Sequence, residues 1–233
     1  DWMRRHTMPL IDPRTLMSNY AGRKMMEDAR MKKYILDFIH RADYNITDVS
    51  VEKKVEPIPA DFRDFLMNEG DISKEDKKKL QGKPVYDRVD TNFEHTVKNA
   101  RGVEKYTLPN EMQSQGTRRT FGIEAAIYQA MSNDEFLSID EIESSLHPEL
   151  IEFILEQFLK ESSRSQLLVT THYDPLLNTI DDLIRKDSVW FTEKGEDGSS
   201  ELYSLSDFKG LNKIHSFQKS YRNGRFGALP NIQ

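Results

Sequence analysis

The spacing of hydrophobic and polar residues predicts helices and then a strand at the start of the chain. Over residues 1–45, apolar side chains recur near one helical face with charges between them, and they include Met25, Ala29, Leu36 and Ile39. Residues 46–55 instead alternate between apolar and polar, which favours a strand with Val49, Val51 and Val55 on one side. The first part of the chain therefore combines helical and extended segments.

Residues 56–108 have the least regular pattern in the chain. A run of charged residues at 73–79 is typical of a solvated helix or loop. Short apolar segments at 93–97 and 104–108 predict edge strands. We predict that residues 1–108 form a helical and β module that is inserted into, or peripheral to, the main fold.

From residue 109 onward, apolar strands alternate with amphipathic helices. The predicted helices are residues 116–131 and 148–160, and the predicted strands are residues 136–139, 167–171, 188–192 and 201–205. In the second helix the apolar face consists of Ile151, Ile154, Leu155, Phe158 and Leu159. Because this alternation is typical of a sheet covered by helices, residues 109–233 are predicted to form an α/β domain with a mainly parallel sheet.

Composition narrows the functional classes. The chain has 233 residues and no cysteine, which excludes disulfides and thiolate metal sites. No run of about 18 apolar residues occurs, so the protein is not expected to interact with a membrane. Its predicted location is the cytoplasm. Because the net charge is -6, DNA binding would require a local basic patch and is not expected over the whole surface.

The first candidate chemistry is a pair of acids at the end of a predicted strand. Asp140 and Glu141 directly follow the apolar segment 136–139. Ligands bind at the carboxyl ends of strands in open α/β sheets. An aspartate there can hold a magnesium-bound water, and the adjacent glutamate can activate an attacking water. By itself, such a pair is more often only the polar turn that ends a strand.

A histidine follows the next predicted strand. His172 comes directly after residues 167–171, so it lies at the same edge as Asp140 if the two strands are neighbours. A neutral imidazole at that position can contact a phosphate and the attacking water. His147, by contrast, stands at the start of a predicted helix and is interpreted as a capping or packing residue.

A third element is the start of the helix at 116–131. Ser114 can cap this helix, and Gly116 leaves its first turn without a side chain, so the exposed N–H groups can bind an anion. An ordinary capped helix would have the same local sequence. This motif gains meaning only in combination with the others.

Together these motifs resemble the C-terminal lobe of ABC-type ATPases, in the RecF/SMC-like and overcoming-lysogenization-like branch. The resemblance covers about residues 109–190. It implies a signature motif, a Walker B aspartate, a catalytic glutamate, a D-loop and a switch histidine. In that order, the matching residues are Ser114, Gly116 and Thr117; Asp140; Glu141; Ser144 and Ser145, which precede Leu146-His147-Pro148; and His172.

The resemblance also implies the ligands and partners. ATP would be bound with Mg²⁺, which Asp140 would hold through water, and two protomers would form a homodimer through their ATP sites. A narrower resemblance to RloA-like ATPases of bacterial defence loci is found in residues 35–51, which include the segment 41–46, and in the Gly-rich segment 224–232. It implies an ATP-driven dimerising switch in anti-phage defence that regulates an effector nuclease or toxin.

One ABC motif is absent from the chain. No Gly-x-x-x-x-Gly-Lys-Ser/Thr sequence occurs, and Gly82-Lys83 is the only Gly-Lys pair. This phosphate-binding loop supplies the strongest contacts to the β- and γ-phosphates. We therefore expect the chain to be the C-terminal portion of an ATPase, which a P-loop lobe of the same or a separate polypeptide completes and which is inactive without that lobe.

Three alternative functions remain open from the sequence. The first is a RecF/SMC-like ATPase of DNA repair, which shares the same motifs. The second is a metal-dependent nuclease whose metal ligands would be Asp140, Glu141, His147 and His172. The third is a non-catalytic lobe that only docks on a partner with the P-loop.

Overall fold

The computed structural model describes residues 2–15, 17–42, 45–68, 73, 80, 84–162 and 164–229. Within these ranges the helices are α1 (Trp2–His6), α2 (Ser18–Glu27), α3 (Ala29–Arg41), α4 (Ala60–Asn68), α5 (Gln115–Asn133), α6 (Pro148–Glu161) and α7 (Phe217–Arg222). The strands are β1 (Ile46–Pro57), β2 (Val85–Asn99), β3 (Gly102–Pro109), β4 (Phe136–Ile139), β5 (Gln166–Val169), β6 (Trp190–Lys194) and β7 (Ser200–Ser204). Four sequence features lie at least in part outside the described residues: positions 43 and 44 of the segment 41–46, positions 74–79 of the charge run, the Gly82-Lys83 pair and residues 230–232 of the tail.

The chain forms two compact units. The first unit comprises Asp1–Met8, Arg14–Leu137 and Arg164–Gln166, and the second comprises Pro9–Pro13, Ser138–Ser163 and Leu167–Gln233. The residues of each unit pack mainly against other residues of the same unit. The functional division into residues 1–108 and 109–233 stays a prediction.

The first unit contains an antiparallel sheet in the order β1-β2-β3. Val49 of β1 lies opposite Phe93 of β2, and Phe93 lies opposite Leu108 of β3. The predicted strand at 46–55 is confirmed. The prediction of an edge strand at 93–97 was wrong, because β2 is hydrogen-bonded on both sides and its buried Phe93 lies at the centre of the sheet.

Helices α2, α3 and α5 pack together and against this sheet. The rings of Phe93 and Phe121 meet edge to face, with centroids 5.1 Å apart. Gly22 allows α2 to approach the sheet closely, because a Cβ atom there would lie 2.5 Å from Thr91 Oγ1. None of the helices in the described ranges has the length and apolarity that a bilayer crossing requires.

The predicted helical face in residues 1–45 needs a correction. The helical region is first interrupted between α1 and α2, where Thr7 and Ile11 make parallel bridges to Phe136 and Ile139. It breaks again at Asp28, which caps α3 by accepting a hydrogen bond from the Arg30 N–H at 2.8 Å. This break rotates α3 relative to the phase that the continuous pattern predicts. Ala29 is exposed and Leu36 is only partly buried, and the buried face of α3 consists of Met31, Ile35, Phe38 and Ile39.

Strands β4 and β5 pair in parallel. The Gln166 N–H donates to the Glu135 carbonyl and the Thr170 N–H to the Ile139 carbonyl, so both strands advance in the same direction. Parallel bridges join Thr7 to Phe136 and Ile11 to Ile139.

The mainly parallel sheet predicted for residues 109–233 is not shown: in the described part of that region β4-β5 is parallel and β6-β7 is antiparallel. The pairs β1-β2 and β2-β3, which precede this region, are also antiparallel. The strand at 136–139 is confirmed, and the one at 167–171 is found as β5. Because both are only four residues long, parallel pairing in the described part of the chain is confined to short segments.

Helix α6 and a C-terminal hairpin lie in the second unit. The buried face of α6 includes Ile151, Ile154 and Phe158 as predicted, but Leu159 is 55% exposed because it lies at the margin of that face. The hairpin β6-β7 confirms the two predicted strands around the Gly195–Gly198 turn. An aromatic cluster covers one face of this hairpin and consists of Phe191, Tyr203, Phe208, Phe217, Tyr221 and Phe226.

Candidate active site

The acidic pair lies where β4 ends. Ile139, the last residue of β4, is fully buried, and the backbone then leaves the sheet at Asp140. The Asp140 N–H still donates to the Ile11 carbonyl at 2.8 Å, and the Thr170 N–H donates to the Ile139 carbonyl at 3.0 Å. Asp140 is therefore held at the carboxyl edge of a parallel pair, as the sequence predicted for a ligand-binding position.

The hydroxyl of Thr170 connects both acids to the neighbouring strand. Thr170 Oγ1 donates to Asp140 Oδ1 and accepts a hydrogen bond of 3.0 Å from the Glu141 N–H. The sequence analysis did not identify Thr170 as a site residue. Thr170 lies one residue beyond β5, and this position indicates a site residue only when β5 is known to lie beside β4 in this register.

The turn after Asp140 has an unusual backbone. Glu141 has φ 44° and Ser145 has φ 62°, so both lie in the left-handed region that non-glycine residues rarely adopt. The Ser144 N–H donates to the Glu141 carbonyl at 2.9 Å, which closes the first part of the turn. Strained backbone of this kind occurs mainly where the surrounding structure and the function require it.

His172 lies beside the same turn. Its backbone N–H donates to Glu143 Oε1 at 2.6 Å, and its carbonyl accepts from the Asp174 N–H at 3.0 Å. The imidazole is exposed. Glu143 was also missed from the sequence, although it belongs to the acidic run that begins at Asp140. The structure thus brings Asp140, Glu141 and His172 to one edge of the β4-β5 pair, as predicted.

The predicted signature residues belong to the first unit. Ser114 caps α5, because its Oγ accepts a hydrogen bond of 3.0 Å from the Thr117 N–H and lies 2.8 Å from Thr117 Oγ1. Thr117 is buried, Gly116 is partly buried and Ser114 is exposed. The predicted cap is confirmed, and it gives a 19-residue helix with a defined N-terminus.

His147 caps α6. Its Nδ1 accepts a hydrogen bond of 3.4 Å from the Glu149 N–H, and Pro148 occupies the first helical turn. This confirms its interpretation as a capping residue. In the described part of the chain, no group of three or more His, Asp or Glu side chains is arranged to hold a metal ion by itself.

Comparison with known proteins gives one family match. Residues 11–178 match a family model described as "AAA domain, putative AbiEii toxin, Type IV TA system". This span contains every predicted site residue, from Ser114 to His172. No curated protein matches the chain.

Among solved structures, one similar chain comes from work on the structural biochemistry of ATP-driven dimerization and DNA stimulated activation of SMC ATPases. The two sequences are 14% identical and superpose with a TM-score of 0.44. The match covers 83% of this chain and 94% of that chain.

Proposed function

The chain belongs to the AAA domain family whose model spans residues 11–178, and we propose that it forms the catalytic half of an ATP site. In this proposal Glu141 would activate the attacking water, Asp140 would hold Mg²⁺ through a water molecule, and His172 would contact the γ-phosphate. The observation that supports this assignment most strongly is the shared edge: Thr170 holds the turn of both acids, and Glu143 holds the backbone of His172.

The geometry around Glu141 suits a general base. Such a residue must present its carboxylate to one water in a fixed direction. The left-handed φ of 44° and the hydrogen bond to Thr170 fix the backbone from which the side chain starts. Glu141 follows Asp140 directly. The same turn therefore positions Glu141, which would activate water, and Asp140, which would orient the waters of the metal ion.

The residues at the turn also fit a magnesium ion with its waters. Carboxylate oxygens, such as those of Asp140, are the hard donors that Mg²⁺ and its bound waters prefer. When bound, Mg²⁺ supplies positive charge against the charge that develops on the transferring phosphate. The role of the chain is to hold Asp140 in place, which Thr170 does from β5.

The N-terminus of α5 is proposed as the second phosphate contact. Ser114 and Gly116 lie at the N-terminus of a long helix, where the positive end of the helix dipole favours an anion. In the ABC arrangement, Ser114 and Gly116 would contact the γ-phosphate held by the other protomer, with Thr117 supporting Ser114 from the buried side. Ser144 and Ser145 would line a nucleotide. The support for this part of the proposal is the order of the motifs in the sequence.

A P-loop lobe, in the same or a separate polypeptide, completes the site in this proposal, because the chain contains no Walker A sequence. ATP then joins two protomers and hydrolysis releases them, so the protein acts as a switch. We infer that the switch regulates an effector nuclease or toxin in anti-phage defence. The family description, which names a toxin and a type IV toxin–antitoxin system, supports the link to a toxin.

The substitution Glu141→Gln tests the assignment of the general base. In the chain combined with its P-loop lobe, we expect ATP hydrolysis to fall by roughly 100-fold or more, because general-base catalysis contributes about 10²–10⁴ in rate. ATP binding persists, so size-exclusion chromatography with MgATP should show a trapped dimer.

The control for this experiment is Glu161→Gln, which makes the same change at an exposed glutamate at the end of α6. It should leave both turnover and dimer formation unchanged. Full turnover by Glu141→Gln would contradict the role of Glu141. Cleavage of DNA by the chain with Mg²⁺ or Mn²⁺ in the absence of nucleotide would instead favour the nuclease alternative.

A further inference from the structure

An arginine near the C-terminus holds the segment that carries His172. Arg222 on α7 donates from Nη2 to Asp174 Oδ1 at 2.9 Å, and its Nε donates to Asp174 Oδ2. Gln218, one helical turn earlier, donates from Nε2 to the same Oδ1 at 3.1 Å. The Asp174 side chain is only 18% exposed. Two parallel N–H···O bonds from a planar guanidinium fix direction as well as distance, so Asp174 is held in one orientation.

Asp174 is connected to His172 through a tight turn of the backbone. The Asp174 N–H donates to the His172 carbonyl at 3.0 Å. On the other side, the His172 N–H donates to Glu143 Oε1 at 2.6 Å. The backbone of His172 is therefore held between Glu143 and Asp174, and these two contacts determine the direction in which the imidazole leaves the chain.

Helix α7 obtains its own stability from the aromatic cluster. Tyr221 stacks on Phe191 with ring centroids 5.7 Å apart, and Phe217 stacks on Phe226 at 6.3 Å. The Tyr221 hydroxyl donates to the Ala228 carbonyl at 2.9 Å. A helix of six residues is not stable alone in water. The cluster therefore provides the rigid support from which α7 contacts Asp174.

We propose that Arg222 and Gln218 are positioning residues that hold Asp174 and thereby set the orientation of His172 for ATP hydrolysis. This inference rests on the proposed function, in which His172 contacts the γ-phosphate. It makes the C-terminal hairpin and α7 a support of the hydrolytic site. A contact of this kind matters for rate because a displacement of about 1 Å in a catalytic group can cost roughly 100-fold.

Steady-state ATP hydrolysis by the full chain with its P-loop lobe tests the proposal. Arg222→Gln removes the charge and the paired donors, and we expect kcat to fall roughly tenfold while KM for ATP changes by less than about twofold. Arg222→Lys keeps the charge without the planar pair of donors and should give an intermediate kcat. Arg185→Gln is the matched control, because it breaks the exposed pair of Arg185 with Asp187 and should leave kcat unchanged.

A second background separates positioning from a general loss of folded protein. If Arg222 acts through His172, Arg222→Gln lowers kcat in the wild type but not in His172→Ala. An equal loss in both backgrounds, or an unchanged kcat in Arg222→Gln, would overturn the inference and leave the role of His172 intact. Full turnover by His172→Ala would contradict the proposed function and this inference together.

Discussion

At the scale of single residues, the backbone of the turn after β4 distinguishes this strand end from an ordinary polar turn. Glu141 and Ser145 both have positive φ. A left-handed conformation costs a non-glycine residue roughly 1 to 2 kcal/mol. Neither residue is the glycine or asparagine that relieves this cost, so the conformation of the turn lowers the stability of the folded chain. Substituting Ser145 therefore measures how much this conformation costs in free energy of unfolding.

Ser145→Gly should stabilise the protein. Glycine removes the left-handed penalty but loses more chain entropy on folding, so we expect a net gain of about 0.5 to 1 kcal/mol in the free energy of unfolding. Urea unfolding followed by circular dichroism measures the change. The turnover of the same variant shows separately whether the Ser145 hydroxyl contributes to nucleotide binding.

Ser144→Gly is the matched control, since Ser144 is adjacent and does not have positive φ. There the entropy cost is not offset, and the free energy of unfolding should fall by about 0.5 kcal/mol. Equal effects of the two glycine substitutions would show that the conformation of Ser145 stores no strain.

At the scale of elements, β5 supplies the residue that joins the acidic turn to the sheet. Thr170→Val keeps the shape of the side chain but removes the hydroxyl that contacts Asp140 and the Glu141 N–H. We expect ATP hydrolysis to fall roughly tenfold, because the turn loses its lateral support. Thr170→Ser keeps the hydroxyl and should retain turnover within about twofold of the wild type.

The control for the threonine series is Thr192→Val, at an exposed position of β6. It makes the same chemical change away from the acidic turn and should not alter turnover. If Thr170→Val and Thr170→Ser reduced hydrolysis equally, the hydroxyl would not be the feature that matters.

Local patterns predicted most individual elements. The helix at 148–160 was found because it buries one apolar face, and the strand at 136–139 because it is short and apolar. The helix at 116–131 was found from a wide apolar stripe, although the structure buries it on all sides between Arg119 and Ile127. The pattern failed where packing decides the outcome. It placed β2 at an edge, since the sequence does not show how many neighbours a strand has.

The predictability of the candidate site has the same limit. Asp140, Glu141 and His172 were predicted because they stand where predicted strands end. Thr170 and Glu143 were not, because their roles depend on the register between β4 and β5 and on the shape of the turn. A sequence specifies which polar residues stand at strand ends, whereas their partners follow from long-range pairing.

At the scale of the whole molecule, the arrangement of sheets was predicted least well. The alternation of helices and strands after residue 109 suggested a mainly parallel sheet. Within residues 109–233, β4 and β5 pair in parallel, whereas β6 and β7 form an antiparallel hairpin. In the separate antiparallel sheet, β1 pairs with β2 over separations as long as that of Ile46 and His95, which no local periodicity encodes. Contacts across long separations also define the C-terminal part of the second unit.

The pair of Asp174 and Arg222, 48 positions apart, makes one such contact and predicts a pH dependence. The hydrogen bonds from the Arg222 guanidinium hold the pKa of Asp174 below its ordinary value of 3.8, against the opposing effect of burial. In the unfolded chain the carboxyl returns to its ordinary pKa. Its stabilising effect is therefore complete above about pH 3.8 and is lost as the pH falls through the lower, folded-state value.

We accordingly expect the urea midpoint of Asp174→Asn to lie below that of the wild type by a constant amount from about pH 5 to about pH 8, and the two midpoints to converge below about pH 3.8. Asp187→Asn serves as the control, because its partner Arg185 also lowers the pKa of Asp187, but the pair is exposed. Solvent screening should make its effect on the midpoint smaller at every pH. A gap for Asp174→Asn that persists unchanged at the lowest pH would show that the ionised carboxylate is not what holds α7 to the segment after His172.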